Sequence, residues 1–74
     1  MTEALEIRLL TPQEPVPYDL LYLADPSTEA IADYLNRGEC RVAVYNGQIV
    51  GEYVLLPTRP FTAELVNVAV AEEF

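Results

Sequence analysis

The side chains able to do proton or covalent chemistry in this sequence are its carboxylates, its tyrosines and a single cysteine, because it contains no histidine. Glu64 opens the run Glu64-Leu65-Val66-Asn67-Val68-Ala69-Val70. A carboxyl flanked by apolar strand residues can have its pKa raised toward neutrality by desolvation, whereas one at a strand mouth faces solvent. The chemistry such a group supports is proton transfer near neutral pH. Cys40 is a candidate nucleophile by type only, since no histidine is present to activate it, and it reads as a small buried hydrophobe. With one cysteine and no histidine the usual zinc ligand sets cannot be assembled, so no metal site is expected. Tyr18, Tyr22, Tyr53 and Glu52 are further polar side chains near two expected helices and a proline-bracketed connection. Aromatic residues in such places serve as core or surface contacts more often than as ligand cages.

These residues need elements to position them, and the hydrophobic pattern supplies an order. Leu5-Glu6-Ile7-Arg8-Leu9 alternates with period two and reads as a half-buried strand. Pro12, Pro15 and Pro17 make the next stretch irregular, and a short helix is expected from about Pro17 to Ala24, with proline tolerated at its start. Asp25-Pro26 interrupts it, because the residue before a proline is pushed out of the helical region. A second helix over 28–37 carries the stripe Ile31, Tyr34, Leu35. Asp25 or Ser27 can cap it, and Gly38 stands where a left-handed stop is expected. From Cys40 the period returns to two. Asn46-Gly47 between two apolar runs is a hairpin turn of the kind that needs positive φ at both positions. Pro57 and Pro60 are expected to bracket an irregular connection, Leu56 to Thr62, before the last strand. In that strand strict alternation puts Glu64, Val66, Val68 and Val70 on one face and Leu65, Asn67 and Ala69 on the other. Its nearly continuous apolarity predicts cover on both faces.

Composition narrows the partners. At 74 residues the chain fits one small domain, and 51% hydrophobic content with 22% charged residues is globular rather than disordered. Twelve acids against four bases give a net charge of −8, which repels phosphate backbones and anionic lipid. Nucleic acid and membrane surfaces are therefore not expected partners, and a cationic one fits better. The start, Met1-Thr2-Glu3-Ala4-Leu5-Glu6, is acidic where a secretory signal needs positive charge, and no apolar run reaches the length of a membrane span. A reducing cytoplasm is the expected location.

The order strand, helix, helix and three strands, carrying Val42-Ala43-Val44-Tyr45-Asn46-Gly47-Gln48-Ile49-Val50-Gly51 and Ala63-Glu64-Leu65-Val66-Asn67-Val68-Ala69-Val70, resembles the first half of the GNAT acetyltransferase superfamily. The resemblance implies an α+β fold with β-α-α-β-β-β order. It implies a mostly antiparallel sheet with two helices, the N-terminal half of the acyl-CoA N-acyltransferase fold, with residues 1–74 forming a single partial domain. The family's Gln/Arg-x-x-Gly-x-Gly/Ala loop, which cradles the cofactor pyrophosphate, is expected immediately after Phe74. The implied activity of the complete protein is transfer of acetyl from acetyl-CoA to a primary amine, with this segment inactive alone. The resemblance also assigns roles. The main chain of Val68, Ala69 and Val70 runs beside the pantetheine and thioester, Glu64 is the general base, and Tyr18, Tyr22, Glu52 and Tyr53 lie along the acceptor groove. The acceptor is an amine-bearing small molecule or peptide. Two non-enzymatic alternatives are a small acidic module that docks on a basic protein, and a domain that self-associates, as a homodimer, through the exposed last strand.

Overall fold

The computed structural model describes residues 5–73. Its elements are β1 (Leu5–Leu9), α1 (Tyr18–Ala24), α2 (Thr28–Arg37), β2 (Glu39–Tyr45), β3 (Gln48–Arg59) and β4 (Thr62–Val70). The strands form one antiparallel sheet in the order β1-β2-β3-β4. The element order is the one the hydrophobic pattern predicts, and the antiparallel sheet with two helices is the one the resemblance implies.

Local chemistry explains most boundaries. Asn46 and Gly47 adopt φ of 51° and 78°, so the β2–β3 hairpin has the positive-φ turn its residues call for. At the start of α2 the Ser27 hydroxyl accepts from the Ala30 N–H at 3.1 Å, so Ser27 is the cap. Asp25 acts one step earlier, its Oδ1 accepting from the Ser27 N–H at 3.0 Å. Pro17 sits at the N-cap of α1 rather than inside it, and the helix begins at Tyr18. The proline-rich stretch is tied to β1 by a bidentate ion pair, Arg8 to Glu14 at 2.6 and 2.7 Å. The Thr11 N–H adds a third bond to the same carboxylate at 2.8 Å. The Arg8 guanidinium, helped by that N–H, holds the Glu14 carboxyl down at about 2.

Other expectations are corrected. Gly38 has φ −114° and ψ −169°, so it is extended rather than left-handed. Glycine is required there by contact, since a Cβ would lie 2.5 Å from the Leu55 carbonyl oxygen and 3.0 Å from that of Tyr34. The irregular connection from Leu56 does not form, and β3 runs on through Pro57 to Arg59. Pairing with β2 ends at Leu55, so beyond it β3 is unpaired on that side and has no ladder to lose to a proline. Pro60 and Phe61 then make the tight turn, with Phe61 at φ 64° and fully exposed. The alternation of β4 breaks at Val66. Leu65 pairs with Leu55 and Asn67 with Val54, leaving Val66 as a bulge that packs on the core instead of sharing a face with Val68 and Val70.

Both helices cover one face of the sheet, and the core lies between. Leu21, Ile31, Tyr34 and Val54 form its centre, with Val16, Ala30, Leu35, Cys40 and Val66 packed around them. The opposite face is open among the described residues, so β4 is covered on one face only. Leu5, Ile7 and Leu9 of β1 and Leu65, Val68 and Val70 of β4 are each about half exposed. This is a sizeable apolar surface for a small domain.

Candidate functional site

The β3–β4 pair carries the residues of interest, and its register places each one. Tyr53 lies opposite Val68, Glu52 opposite Ala69 and Gly51 opposite Val70. Side chains of paired residues point to the same face, so Tyr53 shares the open face with Val68 and Val70. Glu52 and Ala69 share the helix-covered face. Asn67 joins them through its pairing with Val54, one of the central core residues.

β4 is the last strand of the sheet, so one of its sides is an open edge. Past its end the Ala71 N–H donates to the Val50 carbonyl at 2.7 Å. Main-chain groups alternate along an antiparallel ladder, so Ala69 turns its N–H and C=O toward β3. The Ala69 oxygen indeed lies toward Gly51, 3.2 Å from where a Cβ on that glycine would sit. Val68 and Val70 therefore turn their main-chain groups toward the open edge. An exposed edge of this kind presents hydrogen-bond donors to an extended ligand.

The side chains on the helix face form a buried polar network. The Asn67 Nδ2 donates to the Leu21 carbonyl at 3.1 Å and to the Tyr34 hydroxyl at 2.7 Å. The Leu21 carbonyl can only accept, which fixes which end of the Asn67 amide faces it. Tyr34 in turn donates to Asp25 Oδ2 at 3.2 Å. Burial raises the Tyr34 pKa against the lowering effect of the Asn67 bond, and the Asp25 charge adds to the rise. Beside this network lies Glu52, 2% exposed, with no hydrogen-bond partner for either carboxylate oxygen among the described residues. Desolvation pushes its pKa up to about 7. The Cys40 thiol is pushed up to about 11 by burial and by the Glu52 charge, which leaves it unreactive at neutral pH.

The residues singled out from the sequence are not gathered at one point. Glu64 is exposed near the start of β4, opposite Leu56 and four residues back from Val68. Tyr18 and Tyr22 are exposed on α1 with ring centroids 6.1 Å apart, and the Tyr22 hydroxyl lies 3.1 Å from that of Thr28. Tyr53 is on the far side of the sheet from Glu52. Asn67, Tyr34 and Asp25 were not singled out as functional residues. Asn67 carried a signal, being a lone amide inside an apolar strand.

A single antiparallel sheet with both helices on one face is the half-fold that the resemblance implies. No family model matches the chain. Over 55 residues, 74% of its length, it is 56% identical to the uncharacterized N-acetyltransferase YvbK of Bacillus subtilis, of which the match spans 36%. Its fold superposes on a GNAT family acetyltransferase from Elizabethkingia anophelis with acetyl-CoA bound, with TM-score 0.91 and 51% identity. That match covers 95% of this chain and 46% of the other. An IAA acetyltransferase from Bacillus cereus matches with TM-score 0.84 and 48% identity over the same shares, 95% and 46%. A Bacillus subtilis acetyltransferase in complex with CoA gives 0.83 and 48%, again over 95% and 46%. In sequence and fold the chain belongs to the GNAT acetyltransferases. It spans just under half the length of the solved structures it matches.

Proposed function

We propose that this chain supplies the cofactor strand and acceptor-side helices of an N-acetyltransferase that moves acetyl from acetyl-CoA to a primary amine. The observation that carries this reading is the 0.91 TM-score at 51% identity to a GNAT enzyme with acetyl-CoA bound. The open edge of β4 gives it a physical basis. There Val68 and Val70 offer main-chain donors to the pantetheine and to the oxyanion that forms as nitrogen attacks the thioester. One such donor contributes roughly 3 kcal/mol to the transition state. Ala69 lies between them on the same stretch.

A protonated amine must lose a proton before it attacks, and Glu64 is the carboxylate that the resemblance offers for this step. Tyr18, Tyr22, Glu52 and Tyr53 are proposed along the acceptor's path, with an amine-bearing small molecule or peptide as acceptor. The segment by itself binds acetyl-CoA weakly and does not turn it over. The net charge of −8 disfavours nucleic acid and anionic membrane as partners. No helix among the described residues is long and apolar enough to cross a membrane, and the cytoplasm is the proposed location.

The half-exposed apolar side chains of β1 and β4 favour one accompanying property, self-association of this chain through its uncovered sheet face. Calorimetric titration with acetyl-CoA tests the main reading. Weak, saturable binding that coenzyme A competes away supports it, and absence of binding at millimolar cofactor overturns it.

A further inference from the structure

Three hydrogen-bond acceptors lie buried on the helix-covered face of β3 and β4 without a donor among the described residues: Glu52 Oε1, Glu52 Oε2 and Asn67 Oδ1. Their residues are 2% and 4% exposed. Glu52 pairs with Ala69 and Asn67 with Val54, so the two side chains are diagonal neighbours on one face. Buried acceptors without donors are costly, and a native structure keeps few of them. Protonating Glu52 turns one of its oxygens into a donor that can serve Asn67 Oδ1, and still leaves the Glu52 carbonyl oxygen without a partner. A water molecule brings two donors. A primary ammonium brings three N–H groups and a positive charge that offsets the carboxylate.

We propose that Glu52 and Asn67 form a recognition site for the primary ammonium group of the acceptor. The proposal rests on the acetyltransferase reading for its biological meaning, though not for its geometry. Ala69, directly opposite Glu52, is the side chain between that carboxyl and the open edge of β4, and it is only a methyl group. The amine enters across it, from the edge where Val68 and Val70 present their main chain. The other groups around these acceptors do not compete for the ammonium. Tyr34, from α2, is turned to Asp25, and Asn67 Nδ2 is held by Leu21 and Tyr34. Cys40, on β2, keeps its proton. The charged side chain in the same row on β1, Arg8, is committed to Glu14. Three donors for three acceptors also select against quaternary ammonium ions, which have no N–H.

The test is a titration of the isotope-labelled chain with n-propylammonium chloride, with tetramethylammonium chloride and n-propanol as controls. It is read at the Asn67 side-chain amide and the Glu52 carboxyl carbon. The expected result is a saturable change at both groups with propylammonium alone. The Glu52 titration midpoint should fall by about one pH unit or more when the site is filled, as an adjacent opposite charge requires. Glu52→Gln should abolish the Asn67 response, and Glu29→Gln, at an exposed acid in the first turn of α2, should leave it intact. No saturable response in the unmodified chain overturns the proposal, as does an equal response to tetramethylammonium or an undiminished one in Glu52→Gln. If Glu52→Gln fails to fold, the amine dependence of the Glu52 midpoint in the unmodified chain decides alone. Acetyl-CoA added to the same sample separates the two readings. Cofactor binding without an ammonium response sinks this site, and an ammonium response without cofactor binding sinks the acetyltransferase reading instead.

Discussion

The Asn67 amide donates to the Tyr34 hydroxyl across 2.7 Å, joining the strand β4 to the helix α2 inside the core. The same amide holds the last turn of α1 through the Leu21 carbonyl, and Tyr34 passes the connection on to Asp25 at the junction between the helices. One side chain therefore fixes the helix pair against the strand that is proposed to carry the cofactor. Replacing Asn67 with leucine removes both bonds. Leu21 O and Tyr34 keep partners in the Asp25 N–H and the Asp25 carboxylate, so the expected loss is about 1–3 kcal/mol, readable by urea unfolding. An unchanged midpoint would show that the network does not hold the helices.

Stability should vary with pH in two separate windows. The folded-state pKa of Glu52 is raised by desolvation to about 7, so the folded chain binds this proton more tightly than the unfolded one. Its contribution is fully present below the ordinary carboxylate pKa and is lost as pH rises toward 7, with a slope of at most about 1.4 kcal/mol per pH unit. Glu14 runs the opposite way. Its pKa is depressed to about 2, so its contribution is present above the ordinary carboxylate range and is lost as pH falls toward 2. The expected optimum lies between the windows, near the ordinary carboxylate pKa. Thermal melts across pH check this, and Glu52→Gln should flatten the alkaline arm alone. An alkaline arm that survives Glu52→Gln would assign it to other groups.

Gly38→Ala tests the contact that ends α2. The added Cβ meets two backbone carbonyl oxygens, at 2.5 and 3.0 Å, and neither can swing aside as a side chain would. A loss of roughly 1–3 kcal/mol is expected, the range for overpacking a tight site. A melting temperature equal to that of the unmodified chain would mean that α2 and β3 can separate freely at this point.

Much of this architecture is legible in the residues. Asn46-Gly47 specifies its hairpin because few other pairs tolerate positive φ twice, and Ile31 with Tyr34 announces the buried stripe of α2. Gly38 was read for its usual helix-ending conformation, whereas its reason is a long-range approach to Leu55, which no local pattern encodes. The bulge at Val66 is similar. Strict alternation placed Val66 with Val68 and Val70, and only the mismatch with β3 brings it to the core. The burial of Glu52 follows from its position between Val50 and Val54 on the covered face, yet its lack of donors depends on what both helices and β4 present to it. The open face of β4 was also not legible, since an apolar run does not reveal which of its sides is covered.

Self-association should depend on that open face. Ile7→Gln removes apolar surface from the middle of β1 without adding charge or touching the core. Sedimentation at rising concentration should show the unmodified chain associating and the variant shifted toward monomer. A compact monomer for the unmodified chain at high concentration would refute this part of the account.

The central claim is that β4 holds acetyl-CoA through the main chain of Val68 and Val70. Residue-resolved amide spectra recorded during an acetyl-CoA titration test it most directly. The account predicts progressive, saturable shifts concentrated at Val68 and Val70, with Ala69 and its partner Glu52 moving less and the β1–β2 pair unmoved. A folded chain whose β4 amides stay in place at saturating cofactor, or whose shifts fall elsewhere, would contradict it.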